Sequence, residues 1–288
     1  MLQKHELYRT IKIAMPIAHV NGCDFYYQTT GSGTPLVFIH GETHGTLLFE
    51  AQMPHFSRSY QCFAYDRRGH GKTSVPLYGY SLWNQTHDLR CLLDFAGIDQ
   101  AIVVAVAMST TIGASFTLQY PDRVKALVLC SWYELDGYPL LENRRKAHQM
   151  SFADLHLKMR DILLERGQDG LEDYLEHNYA TMLPIFPPDK PEVRRKLVAL
   201  FASHAPEHYV QSAEFYTSMP NLRAQMHRVR CPVLGICGTD DPSPDRPELM
   251  SDVPQFRQEW IKGARRFTMM EYPAEFNAVL DRFLNTLT

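Results

Sequence analysis

The stretch Ile102-Val103-Val104-Ala105-Val106-Ala107-Met108-Ser109-Thr110-Thr111-Ile112-Gly113-Ala114 decides the fold. A β-branched apolar run stops at a small residue. A serine follows two positions on, and helix-compatible residues continue the chain. This pattern predicts a buried parallel strand that breaks sharply into a helix. A serine held at that turn would raise its hydroxyl above the C-terminal edge of the sheet, where the helix N-terminus favours developing negative charge.

The flanks extend the pattern. Asp88-Leu89-Arg90-Cys91-Leu92-Leu93-Asp94-Phe95-Ala96-Gly97-Ile98-Asp99 precedes it, and Tyr120-Pro121-Asp122-Arg123-Val124-Lys125-Ala126-Leu127-Val128-Leu129 follows. Further motifs stand at Phe38-Ile39-His40-Gly41, Tyr65-Asp66-Arg67-Arg68-Gly69-His70-Gly71, Gly238-Thr239-Asp240-Asp241-Pro242 and Glu271-Tyr272-Pro273. In this order the chain resembles the capped α/β-hydrolase family, whose nucleophile elbow is written G-x-S-x-G. The segment here, Ala107-Met108-Ser109-Thr110-Thr111, lacks both flanking glycines. The resemblance implies an α/β-hydrolase fold, a mostly parallel doubly wound sheet with an inserted helical cap. It places the core in residues 1–131 and 222–288 and the cap in residues 132–221.

Composition narrows the function classes. The 288 residues are 45% hydrophobic and 21% charged, ordinary values for a globular protein with one substantial core. A formal net charge of -3 gives no sign of a nucleic-acid or anionic-membrane partner. Met1-Leu2-Gln3-Lys4-His5-Glu6 lacks the apolar segment of a signal peptide, and no apolar run is long enough to span a bilayer. Six scattered cysteines without a C-x-x-C pair read as reduced core thiols, and with them the expected location is cytoplasmic.

Along the chain, Asn21-Gly22 between alternating strands predicts a hairpin. Pro35 to Ile39 and Tyr60 to Tyr65 read as buried strands, and Ser81 as the cap of a helix closed by Gly97. Strands alternating with helices argue a parallel sheet. From about Trp132 to Asn221 the periodicity is helical, with Leu155, Met159, Ile162, Leu163 and Leu171, Tyr174, Leu175 at helical spacings. Pro184 to Pro191 breaks that region. Pro232 to Cys237 and Gln258 to Ile261 return as strands, and Pro273 opens the last helix.

The resemblance assigns chemistry residue by residue. Ser109 takes the place of the nucleophile or hydrogen-bond donor. The oxyanion donors would be the backbone N–H groups of Thr110 and Glu42, with Met108 and His44 close to the pocket. Asp241 matches the triad acid. The position of the triad histidine carries Arg266, and no histidine follows His227. Arginine stays protonated and has no lone pair with which to accept a serine proton. Arg266 is therefore expected to pair with Asp241 and to present a planar fork to an anionic group of a small-molecule substrate. A substitute base would come from His44, from Glu42, or from His148, His156, His177, His204 or His208 of the cap. No metal-ligand spacing and no cofactor motif stands out. These readings point to an enzyme acting on a small carbonyl, ester or carboxylate compound without the usual relay. The alternative is a catalytically inactive hydrolase-fold protein that binds or scaffolds.

Overall fold

The computed structural model describes residues 16–138 and 151–287. Within them the strands are β1 (Ile17–Val20), β2 (Cys23–Thr30), β3 (Thr34–Ile39), β4 (Tyr60–Tyr65), β5 (Ala101–Val106), β6 (Val124–Cys130), β7 (Val233–Gly238) and β8 (Phe256–Ile261). They form one sheet in the order β1-β2-β4-β3-β5-β6-β7-β8. The first two pairings are antiparallel and those from β4 through β8 are parallel. Asn21 and Gly22 make the β1–β2 turn with φ of 47° and 66°, the left-handed pair that a two-residue hairpin requires.

The helices are α1 (Gln52–Phe56), α2 (Leu82–Phe95), α3 (Thr110–Gln119), α4 (Phe152–Met182), α5 (Pro191–Ala202), α6 (Pro206–Thr217), α7 (Thr268–Glu271) and α8 (Pro273–Leu284). Alternation along the strands divides the core into two layers. Leu36, Phe38, Ile102 and Val104 face Phe276, Leu280 and Phe283 of α8. Val37, Ile39, Val103 and Ala105 face Leu89 and Leu92 of α2 and Ile112 and Phe116 of α3. The sheet is therefore doubly wound, as its continuous apolar strands predict. No helix among the described residues is long and apolar enough to cross a membrane.

Two features position the upper edge of the sheet. Asp66, just past β4, accepts from Thr46 N at 2.6 Å and Lys72 N at 2.8 Å. One carboxylate thus ties the loop after β3 to the loop after β4. Between β6 and β7 the chain runs through α4, α5 and α6, with no strand among the described residues. Its two ends are stitched together, Leu222 N to Leu135 O at 2.9 Å and Tyr138 N to Met219 O at 3.0 Å. Gly167, with φ of 71°, breaks α4, which packs on both α5 and α6. Residues 139–150 of the expected cap, His148 included, lie outside the described residues, as does the chain before residue 16.

Gly238 ends β7 beneath the loop that carries Arg266. A Cβ there would stand 2.0 Å from the carbonyl oxygen of Ala264 and 2.2 Å from that of Arg265. Backbone cannot step aside as a side chain can, so Gly238→Ala is expected to cost at least about 1–3 kcal/mol. A thermal melt identical to wild type would refute this packing.

Candidate active site

Strand β5 ends at Val106, and a single 3-10 turn, Ala107–Ser109, leads into α3. The strained residue of that turn is Ala107, with φ of 49°. A left-handed conformation costs a non-glycine residue about 1–2 kcal/mol, and an elbow places its outward-pointing side chain there. The outward position therefore carries a methyl group. Ser109 sits two residues later with φ of -75°, fully buried, and its hydroxyl donates to the carbonyl of His40 at 2.5 Å. The nucleophile expected at Ser109 is thus not at the turn's apex; the hydroxyl fastens the elbow to the end of β3. Thr110 also differs from expectation, because its backbone N–H closes back on Ala107 O and Met108 O. The N–H directly after the strained position is that of Met108.

Asp241 and Arg266 meet above the end of β7. Arg266 Nε reaches Oδ2 and Nη2 reaches Oδ1, both at 2.7 Å, and both side chains are buried. Asp241 Oδ1 also accepts from Ser243 N at 2.9 Å. Glu271 braces the arginine loop from below, accepting from Arg265 N at 2.8 Å and Phe267 N at 3.0 Å. Burial pushes the Glu271 carboxyl up to about 7, against those two N–H donors and with help from the negative charge of Asp241.

Glu42 lies at the end of the loop after β3, and its side chain is committed. Oε2 faces Arg67 Nη1 at 2.9 Å, Oε1 faces His70 Nε2 at 3.0 Å, and Ser212 Oγ donates to Oε1 at 2.5 Å. Burial opposes its ionisation, but Arg67 and His70 outweigh it and hold the carboxyl well below the usual carboxylate range. Arg67 is itself clamped by Gln85 Oε1, at 3.1 Å from Nε and 2.7 Å from Nη2.

Between these groups lies a cavity of about 20 Å³, room for roughly one water. Ala107, Met108, Glu42, His44 and Arg266 line it from the core side, and the aromatic rings of Phe152, Phe201, Tyr216 and Phe267 close it. His44 stands between Phe201 and Phe267, with ring centroids at 5.0 and 4.7 Å. Both of its ring nitrogens are buried without a hydrogen-bond partner, and burial drives its pKa down to about 3, so the ring is neutral.

The other candidate bases stand elsewhere. His204 Nε2 meets His44 O at 3.2 Å, His208 Nδ1 meets Gly69 O at 3.0 Å, and His156 Nδ1 meets Phe152 O at 2.8 Å. His177 is exposed beside Asp173. None of these four lines the cavity. The sequence reading missed Ala107, although Val106, the last β-branched residue of the run, marks the strand end directly before it. It also missed the group formed by Glu42, His70, His208 and Ser212, for which no local spacing gives a signal.

The sequence profile of the α/β hydrolase fold family matches residues 34–163. The 3-oxoadipate enol-lactonase 2 of Acinetobacter baylyi is 26% identical over 266 residues, 89% of this chain and 93% of the enol-lactonase. Epoxide hydrolase 1 of Caenorhabditis elegans is 23% identical over 284 residues, 90% of this chain and 67% of that one. Among solved structures, the enol-lactonase of Burkholderia xenovorans superposes with a TM-score of 0.74 at 20% identity, covering 94% of this chain and 100% of its own. At that identity the structural likeness is one of fold.

Removing one partner of a buried ion pair costs about 3–5 kcal/mol. Asp241→Asn should therefore lower the thermal midpoint far more than Asp240→Asn, whose side chain is exposed. Equal midpoints for the two variants would refute the pairing. Glu271 gives a pH test. Its folded-state pKa of about 7 lies above the unfolded value near 4.3. Between those values the folded state binds the extra proton, so this group's contribution to stability falls as pH rises from about 4.5 to 7. The melting advantage of wild type over Glu271→Gln should shrink across that range. An advantage that grows would mean that the Glu271 carboxylate is ionised in the fold.

Proposed function

This chain is an α/β-hydrolase-fold protein, and from that premise we propose that it holds a small neutral molecule and does not cleave esters through a serine. The observation that carries the reading is Ala107 at the left-handed position of the elbow. A methyl group cannot attack a carbonyl, and the guanidinium of Arg266 cannot accept a proton. Both oxygens of Asp241 are engaged by that guanidinium.

Charge balance favours a neutral ligand over an anion. Asp241 offsets Arg266, and Arg67 offsets Glu42. The aromatic wall and the neutral imidazole of His44 would grip an apolar body with one polar group. The enol-lactonases and epoxide hydrolase among the relatives suggest a small oxygen-containing compound. Helices α4 to α6 would act as the lid, because they supply Phe152, Phe201 and Tyr216 to the wall of a cavity with room for about one water. A second reading, an enzyme that turns over a small carbonyl compound without a covalent intermediate, is favoured by one observation. His44, a neutral ring with buried nitrogens, lines the cavity.

Rebuilding the relay tests the proposal. Wild type should hydrolyse p-nitrophenyl acetate no faster than Ser109→Ala and should resist labelling by a fluorophosphonate. The combined variant Ala107→Ser with Arg266→His should gain esterase activity of at least tenfold and take the label at position 107. Wild-type turnover at ordinary enzyme rates of about 1–10³ per second, lost on His44→Phe, would overturn the ligand-holding reading in favour of the second. Wild-type labelling at Ser109 would overturn the reading of the elbow.

A further inference from the structure

The site described above leaves one buried cluster unused. Glu42 follows β3, His70 follows β4 and His208 lies on α6. One potential ligand atom from each falls within 4.8 Å of the others, and all three side chains are buried. Hydrogen-bond partners determine where the protons sit. His70 Nδ1 lies 2.9 Å from the carbonyl of Arg68, and His208 Nδ1 lies 3.0 Å from the carbonyl of Gly69. A carbonyl only accepts, so both Nδ1 atoms carry hydrogen, and in the neutral rings both Nε2 lone pairs turn toward the cluster.

Four acceptors then converge with one hydrogen among them. Glu42 Oε1 stands 3.0 Å from His70 Nε2 and 2.5 Å from Ser212 Oγ, and Ser212 Oγ stands 3.2 Å from His208 Nε2. The single hydroxyl hydrogen serves Glu42 Oε1. His70 Nε2 is left buried with no hydrogen-bond partner in adequate geometry. Two routes satisfy such a cluster: a second proton on His70, or a cation accepted by the free lone pairs.

We propose that Glu42, His70 and His208 bind a divalent transition cation of the zinc class, with the Ser212 hydroxyl, already between Glu42 and His208, completing the shell. Two imidazoles and one carboxylate are a donor set suited to that ion. The supporting shell already has the form that metal-ligating histidines use, each donating its other N–H to a backbone carbonyl. Arg67 sits on the far oxygen of Glu42 at 2.9 Å and keeps that carboxylate oriented. Its positive charge opposes the cation and sets the affinity toward the modest end. Because His208 rides on α6 while Glu42 and His70 belong to the core, the ion would clasp the inserted helices to the sheet.

The test uses the full-length protein after chelator treatment, with Zn²⁺ or Co²⁺ as the probe. Titration calorimetry should give one site per chain, and Co²⁺ should develop visible d–d bands of a low-symmetry nitrogen and oxygen site. A hundredfold excess of Zn²⁺ over its dissociation constant should raise the thermal midpoint by several degrees. His208→Gln should abolish all three responses. His177→Gln, which changes an exposed histidine, should leave them intact. Should His208→Gln fail to fold, Ser212→Ala supplies the second measurement: it keeps all three ligands and should still bind one ion, with an altered Co²⁺ spectrum. A wild-type chain that binds no ion overturns the proposal. So does binding that His177→Gln removes and His208→Gln does not, or a Co²⁺ spectrum that Ser212→Ala leaves unchanged.

Discussion

The left-handed turn at Ala107 is the constraint on which the upper edge of the sheet depends. A non-glycine residue with φ of 49° persists only where its surroundings over-determine it. Those surroundings are specific here. Ser109 donates to the end of β3 at His40, and Thr110 and Thr111 donate back to Ala107 O and Met108 O at 2.7 and 2.6 Å. At about 1 kcal/mol each, such hydrogen bonds together offset the conformational cost. Gly41 completes the fit, since a Cβ there would come within 3.3 Å of Val106 O and 3.4 Å of the Ala107 methyl. The hydroxyls that gave this segment its catalytic look are the ones that hold its shape.

Two buried charge groups flank the turn, and each is engaged by protein partners. The Arg266–Asp241 pair is two-pronged and buried, while Glu42 is shared among Arg67, His70 and Ser212. Desolvating such groups is costly, so a buried pair argues more for geometry than for net stability. What the pairs provide is a fixed frame. Asp241 holds Arg266 above the end of β7, and Glu271 holds the loop on either side of it.

Much of the fold was legible in the sequence because periodicity and turn chemistry act locally. Asn21-Gly22 dictates a hairpin, Ser81 caps α2 through Asn84 N at 3.3 Å, and the apolar runs of β3, β5 and β6 are buried on both faces. Order along the chain was enough to bring Asp241 and Arg266 to one place. The hydroxyl nearest the elbow, on Ser109, lies two residues past the strained position, because the backbone turns where the β-branched run ends, at Val106. The partners of Glu42 were beyond reach. His70 and His208 come from separate segments that only tertiary packing joins, and spacing carries no trace of them.

The same packing links the cavity to the buried polar network. The rings of Phe201 and Phe267 close on His44, and Phe201 belongs to α5. Tyr209 OH donates to Phe201 O at 2.6 Å, which fastens α6 to the end of α5. From the same region His204 Nε2 reaches His44 O, while Ser212 reaches Glu42 from α6. Lifting α5 and α6 would withdraw His204 from His44 and Ser212 from Glu42, leaving Glu42 to Arg67 and His70. Any shift of α5 and α6 away from the sheet would thus disturb the cavity wall and the Glu42 cluster together, because Phe201 lines the one and His208 and Ser212 belong to the other.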